Sequence, residues 1–131
     1  MLGSKFYAVI SVGLFCFSIQ AIAHHGGAAY DSSLSKTVTG KVSQFHFLNP
    51  HVLIYVEVED ESGKLVEWSG ELTSPNRLAR MERGSTTSWS KDILQPGDEI
   101  TLSGNPARSG APSLRLKRVV DSDGAVLVGD D

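Results

Sequence analysis

The stretch His51-Val52-Leu53-Ile54-Tyr55-Val56-Glu57-Val58 decides the fold of this chain. Its even-numbered positions are all β-branched and apolar, whereas the odd-numbered positions are mixed in character. A period of two is typical of a β-strand with one buried face. The even positions are therefore predicted to face the core, and the odd positions, beginning with His51, to face the opposite side.

The segments on either side of this strand also follow a β pattern. Residues 37–47 predict a first strand, but the apolar parity switches near Ser43-Gln44, which indicates a bulge and a bend. Asn49-Pro50 predicts the turn between the first two strands. Residues 61–64 read as a hairpin turn that leads into a third strand over 65–71.

One short helix interrupts the strands. Ser74 is a good N-cap, Pro75 suits the first helical position, and residues 76–83 contain no β-branched side chain. Leu78 and Met81 are predicted to pack inward, and the outward positions are Arg77, Arg80 and Arg83. Ser90 can cap one further turn over 91–94. Three more strands are predicted at residues 99–104, 113–121 and 125–128.

The order β-β-β-α-β-β, with an optional last strand, resembles a small oligonucleotide/oligosaccharide-binding (OB) barrel, in which the helix lies between the third and fourth strands. We therefore expect a mainly β fold, namely a five- or six-stranded OB-like barrel with one short helix. A β-sandwich is the alternative, because strand count and spacing do not establish closure.

The first residues have the features of an export signal. Lys5 precedes a mostly apolar run over residues 6–19, and Ala21-Ile22-Ala23 follows as a cleavage site. The expected organisation is a cleaved signal over 1–23, an N-terminal arm over 24–36 and a single barrel domain over 37–131. The mature protein is then periplasmic, exported by the general secretory route, with no membrane span and no cysteine, because the one cysteine is Cys16.

The composition and charge of the chain favour some classes of protein function and argue against others. The 131 residues include 12 Lys plus Arg and 15 Asp plus Glu, giving a formal charge of −3. Mixed charge and 40% hydrophobic residues fit one globular domain. A nucleic-acid partner is not expected without a basic excess. No nucleophile elbow, phosphate loop or paired-carboxylate motif is recognisable, so a binding protein is favoured over an enzyme.

Four short motifs occur in order along the chain: Ala23-His24-His25, Asn49-Pro50-His51-Val52, Ser74-Pro75-Asn76 and Leu94-Gln95-Pro96-Gly97-Asp98-Glu99. Together they resemble the bacterial exported family of unknown function 6152. The resemblance covers nearly the whole mature chain. It implies a small periplasmic β-barrel domain and supplies no established activity.

The histidines form the one constellation with plausible site chemistry. Cleavage after Ala23 gives His24 a free α-amine beside its imidazole, and His25 adds a second imidazole and a deprotonable amide. Such nitrogen ligands suit tetragonal Cu(II), which also leads the divalent affinity order. His51 can complete the site if the arm folds back, and His46, across the Asn49-Pro50 turn, is the second candidate.

Each of these histidines also has a simpler, structural interpretation. His24 and His25 can be a frayed terminus, and His51 can serve only to hydrogen-bond the turn. The leading hypothesis is a periplasmic binding or accessory protein that takes copper and has a protein or small-ligand partner. A metal-free interaction module is the alternative, and a small hydrolase or redox enzyme is a third class. The remaining cations, among them Arg115 and Lys117, are expected to be solvated.

Overall fold

The computed structural model describes residues 26–81 and 88–129. The predicted signal segment, His24, His25 and Arg83 lie outside them. Within the described ranges, no helix is long and apolar enough to cross a membrane. The elements are a 3-10 turn (Gly27–Ala29), β1 (Lys36–His46), β2 (Leu53–Glu59), β3 (Leu65–Glu71), α1 (Pro75–Met81), β4 (Glu99–Pro106), β5 (Ser113–Asp121) and β6 (Val126–Val128).

The strands form one sheet that closes into a barrel. Their order is β3-β2-β1-β4-β5-β6, and an additional parallel pairing joins β3 to β5. That pairing aligns Ser69 with Ser113 and Glu71 with Arg115. The predicted OB-like barrel is confirmed, with β1 to β5 closed, α1 between β3 and β4, and β6 added beside β5. The sandwich alternative does not apply, because one sheet forms the whole wall.

Strand β1 pairs with a different strand in each of its halves, and it bends between them. Its first half pairs with β4 and its second half with β2. The register shifts between Val42 and Gln44, which confirms the predicted bulge. A second shift occurs between β4 and β5, opposite Ser103 and Gly104, where Lys117 of β5 is the extra residue and a Cβ atom on the glycine would overlap the carbonyl group of Arg115. Only glycine permits this close approach of β4 to β5.

The core confirms the period-two reading of the second strand. Val52, Ile54 and Val56 have no exposed surface. Leu78 on α1 is 2% exposed and packs in the same core, as predicted. Met81 was expected beside it, but that prediction is wrong, because Met81 is 63% exposed. Only the turn around Leu78 covers the barrel end, and a residue three positions later is rotated by about 60° and lies farther along the helix axis.

Candidate functional site

The carboxylate of Glu71 contacts three other side chains on the outer face of the barrel. Its Oε1 lies 2.9 Å from His51 Nδ1 and 3.1 Å from Arg115 Nη1. Its Oε2 accepts a hydrogen bond of 3.1 Å from the Tyr30 hydroxyl. Only 14% of the Glu71 side chain is exposed. Together with two neighbouring serines, these side chains form what we call the Glu71 cluster: Tyr30, His51, Ser69, Glu71, Ser113 and Arg115.

Barrel closure brings these side chains together. Glu71 is the last residue of β3, and the parallel register places Arg115 of β5 directly beside it. Two positions earlier, Ser69 is aligned with Ser113, and its hydroxyl donates to Ser113 Oγ at 2.9 Å. Registered residues share one face of a sheet, so these pairs form two adjacent polar rows. The cluster therefore depends on the contact between β3 and β5.

The N-terminal arm adds Tyr30 to the cluster. Tyr30 forms an isolated antiparallel bridge with Ala107, and the Asp31 N–H donates to the Pro106 carbonyl at 2.8 Å. The Tyr30 oxygen also lies 3.2 Å from Ser113 Oγ. Because its single O–H is given to Glu71, the serine must donate in that contact. Burial, and after it the negative charge of Glu71, raises the pKa of Tyr30 above its ordinary value of 10.0.

The Glu71 contact fixes the orientation of His51. Nδ1 is the ring nitrogen that faces the carboxylate, so a neutral ring with its proton on Nδ1 would leave the Nε2 lone pair available to a metal. The side chain is 37% exposed. Metal-binding histidines commonly donate their second ring N–H to a carboxylate in this way, which sets the tautomer and the ring direction. His51 is thus arranged as a ligand or acceptor that faces solvent.

His46, the other predicted ligand that the structure describes, is not part of this contact set. His46 is half-buried, and its ring meets Tyr55 edge-on with centroids 5.3 Å apart. His24 and His25 lie outside the described residues. Within residues 26–81 and 88–129, no group of three His, Cys, Asp or Glu side chains could hold a metal ion. Of the two predicted ligands within the described residues, His51 is held in the Glu71 cluster and His46 is not.

The sequence interpretation missed most of the cluster. It left Tyr30, Ser69, Glu71 and Ser113 unassigned and treated Arg115 as a solvated charge. A usable signal existed in the predicted OB order, because the third and fifth strands are neighbours when such a barrel closes. An acid near the end of one and an arginine near the start of the other could then have been paired.

Replacement of Tyr30 by phenylalanine should lower the free energy of unfolding by about 0.5–1.5 kcal/mol at pH 7. The folded-state pKa of Tyr30 is raised, so this contribution is complete below about pH 10 and is lost as the pH rises through the raised value. Urea unfolding at several pH values measures the difference from wild type. Tyr55→Phe is the control, since the Tyr55 hydroxyl forms no hydrogen bond within the described part of the chain.

The fold and site define a small OB-like barrel whose N-terminal arm contacts a polar cluster on the outer wall. The sequence profile of the Family of unknown function (DUF6152) matches residues 11–114. This range includes the arm, the helix and most of the cluster. The chain belongs to that family.

The comparison with solved structures gives a distant likeness. The crystal structure of the mitochondrial single-stranded DNA binding protein Rim1 from S. cerevisiae is 10% identical to this chain, with a TM-score of 0.46. The similarity covers 74% of this chain and 96% of that one. A comparison with curated proteins gives no match.

Proposed function

We propose that this protein is an exported, periplasmic binding or accessory protein that binds Cu(II) through His24, with His25 and His51 contributing. The observation that carries the proposal is the contact between His51 Nδ1 and Glu71 Oε1, at 2.9 Å. It presents Nε2 of an oriented imidazole on the barrel surface, and imidazole nitrogen suits copper.

The course of the arm supports the participation of its first residues. Tyr30 contacts the same carboxylate that holds His51, and His24 precedes Tyr30 by six positions. Gly27–Ala29 form a 3-10 turn, which rises by about 2 Å per residue, so the segment can span at most about 16 Å. Because the arm enters beside the carboxylate that holds His51, a segment of this length would keep His24 on the same side of the barrel.

The donor set has the chemistry that copper requires. The amine and imidazole of His24 would provide two nitrogens, and the His25 amide a third after it loses its proton. His51 Nε2 would supply a fourth from the barrel and anchor the arm. Four nitrogens suit the tetragonal geometry of Cu(II). Because the ligands bind in deprotonated form, copper affinity is expected to fall at low pH.

The variant His51→Asn tests the contribution of the barrel. Asparagine can keep a hydrogen bond to Glu71 but offers no imidazole nitrogen. For protein that begins at His24, we expect copper affinity to fall by about tenfold or more while the β-sheet spectrum is retained. Calorimetric titration with Cu(II) measures the change. His46→Asn is the matched control, and an unchanged affinity in His51→Asn would remove His51 from the site.

A metal-free ligand-binding module is the second candidate function. A cavity of about 510 Å³ lies beside Tyr30 and Ser113, with Ala29, Ala107 and Ala111 in its wall. This volume falls in the range of small-molecule sites. The module is favoured over the copper site if protein beginning at His24 shows no copper binding by calorimetry.

A further inference from the structure

A second cavity lies in the barrel wall where β3 and β5 separate. Their parallel pairing ends at Glu71 and Arg115. Beyond that point the chain after β3 turns into α1, whereas β5 continues to Asp121 and pairs with β6. The space between them has a volume of about 250 Å³. Leu72 and Leu78 line one side, and residues 115–117 of β5 line the other.

Among the residues that the structure describes, the charged side chains in the lining of this cavity are cations. They are Arg77, Arg115 and Lys117. Arg77 and Lys117 are exposed, and neither forms a salt bridge within the described ranges. Arg77 and Lys117 add two positive groups at one opening to Arg115, which is paired with Glu71, and this surplus of positive charge concentrates anions near it. The cavity therefore has an electrostatic preference, although the chain as a whole carries a formal charge of −3.

Arg115 is held in place at this opening. Its Nη1 lies 3.1 Å from Glu71 Oε1, and its side chain is one-third exposed. A guanidinium has five N–H donors in a fixed plane, so one bond to Glu71 leaves others for a ligand. The Glu71 contact thus restricts the direction of the guanidinium without using all its donors.

Apart from Thr73, the remaining described residues that line the cavity are apolar. Leu72, Leu78 and Leu116 are each less than 10% exposed and form its inner surface. Met81, which is 63% exposed, and half-buried Val128 lie nearer the opening. Covering this part with an apolar group would remove the Met81 side chain from water. A ligand that fits both parts has a negative head and a small apolar body.

We propose that this cavity binds a small organic anion, with its phosphate or carboxylate among Arg77, Arg115 and Lys117 and its apolar body over the leucines. The proposal does not rest on the copper site, because the cavity lining contains no histidine. From the sequence alone, the helix arginines and the β5 cations are interpreted as separate solvated groups. The fold places one helix arginine and two β5 cations around one opening.

Phenyl phosphate is a suitable probe because it combines both features. We expect it to shift the amide NMR signals of residues 72–81 and 115–117, with a Kd of about 1 mM or lower. Benzyl alcohol, which lacks the charge, and inorganic phosphate, which lacks the ring, should each bind less tightly. Addition of salt should weaken binding. No shift in these segments at 10-fold this concentration, about 10 mM, or binding of benzyl alcohol with equal affinity, would overturn the proposal.

Three variants locate the binding. Arg77→Gln and Lys117→Gln should each weaken phenyl phosphate binding by roughly two- to fivefold, as expected for exposed charge contacts. Arg80→Gln is the matched control, because Arg80 lies on the same helix but does not line the cavity. An equal loss in Arg80→Gln, or no loss in the first two variants, would overturn the proposal. All three positions are exposed, so the dispersed amide spectrum should persist.

Discussion

Glu71→Ala should lower the free energy of unfolding by about 2–3 kcal/mol at pH 7. The substitution removes the acceptor for His51, Arg115 and Tyr30. Loss of a shared, mostly buried acceptor is costly, since its donors lose their partner without regaining full hydration. We place the loss below that of a fully buried ion pair because His51 and Arg115 are each about one-third exposed.

Urea denaturation of matched variants measures this effect. Glu71→Gln keeps an acceptor oxygen and should lose less than Glu71→Ala. Glu57→Ala is the control, because Glu57 is exposed and opposes Glu67 on the neighbouring strand, where like charges are unfavourable. A Glu71→Ala value within about 0.5 kcal/mol of Glu57→Ala would show that the carboxylate does not hold the cluster together.

The features that the sequence predicted well depend on local chemistry. The alternation in residues 52–58 identified the buried face of β2, and the turn at 61–64 allowed β3 to be placed at Leu65–Glu71. The parity switch near Ser43 similarly located the bulge. Each of these signals lies within a few residues of the feature that it predicts, because strand periodicity and turn preference are local properties.

The features that the sequence did not predict depend on distant contacts. The loop residues around Trp89 show no periodic pattern that would predict its burial, yet it is 7% exposed and its indole donates to the Leu127 carbonyl at 2.9 Å. The alignment of Glu71 with Arg115 likewise joins strands separated by α1 and β4. Alternation identifies the face on which a side chain lies, but the register between distant strands decides which side chain it meets.

Acetylation of the His24 α-amine should lower Cu(II) affinity by about a hundredfold or more. The change keeps every side chain of the mature protein. It removes the basic amine nitrogen, so the amine and the imidazole of His24 can no longer bind one ion together. Removal of a direct ligand should cost at least as much as removal of a group that only orients one, which is commonly 10- to 100-fold.

Calorimetric Cu(II) titration of two proteins, one that begins at His24 with a free amine and one that begins at His24 with an acetylated amine, tests the copper proposal most directly. Intact mass must first establish both termini, and matching β-sheet spectra must show that both are folded. The proposal predicts tight one-to-one binding by the first protein and much weaker binding by the second. Equal copper affinity in the two proteins would contradict the role of the amine, and absence of binding in both would contradict the copper site itself.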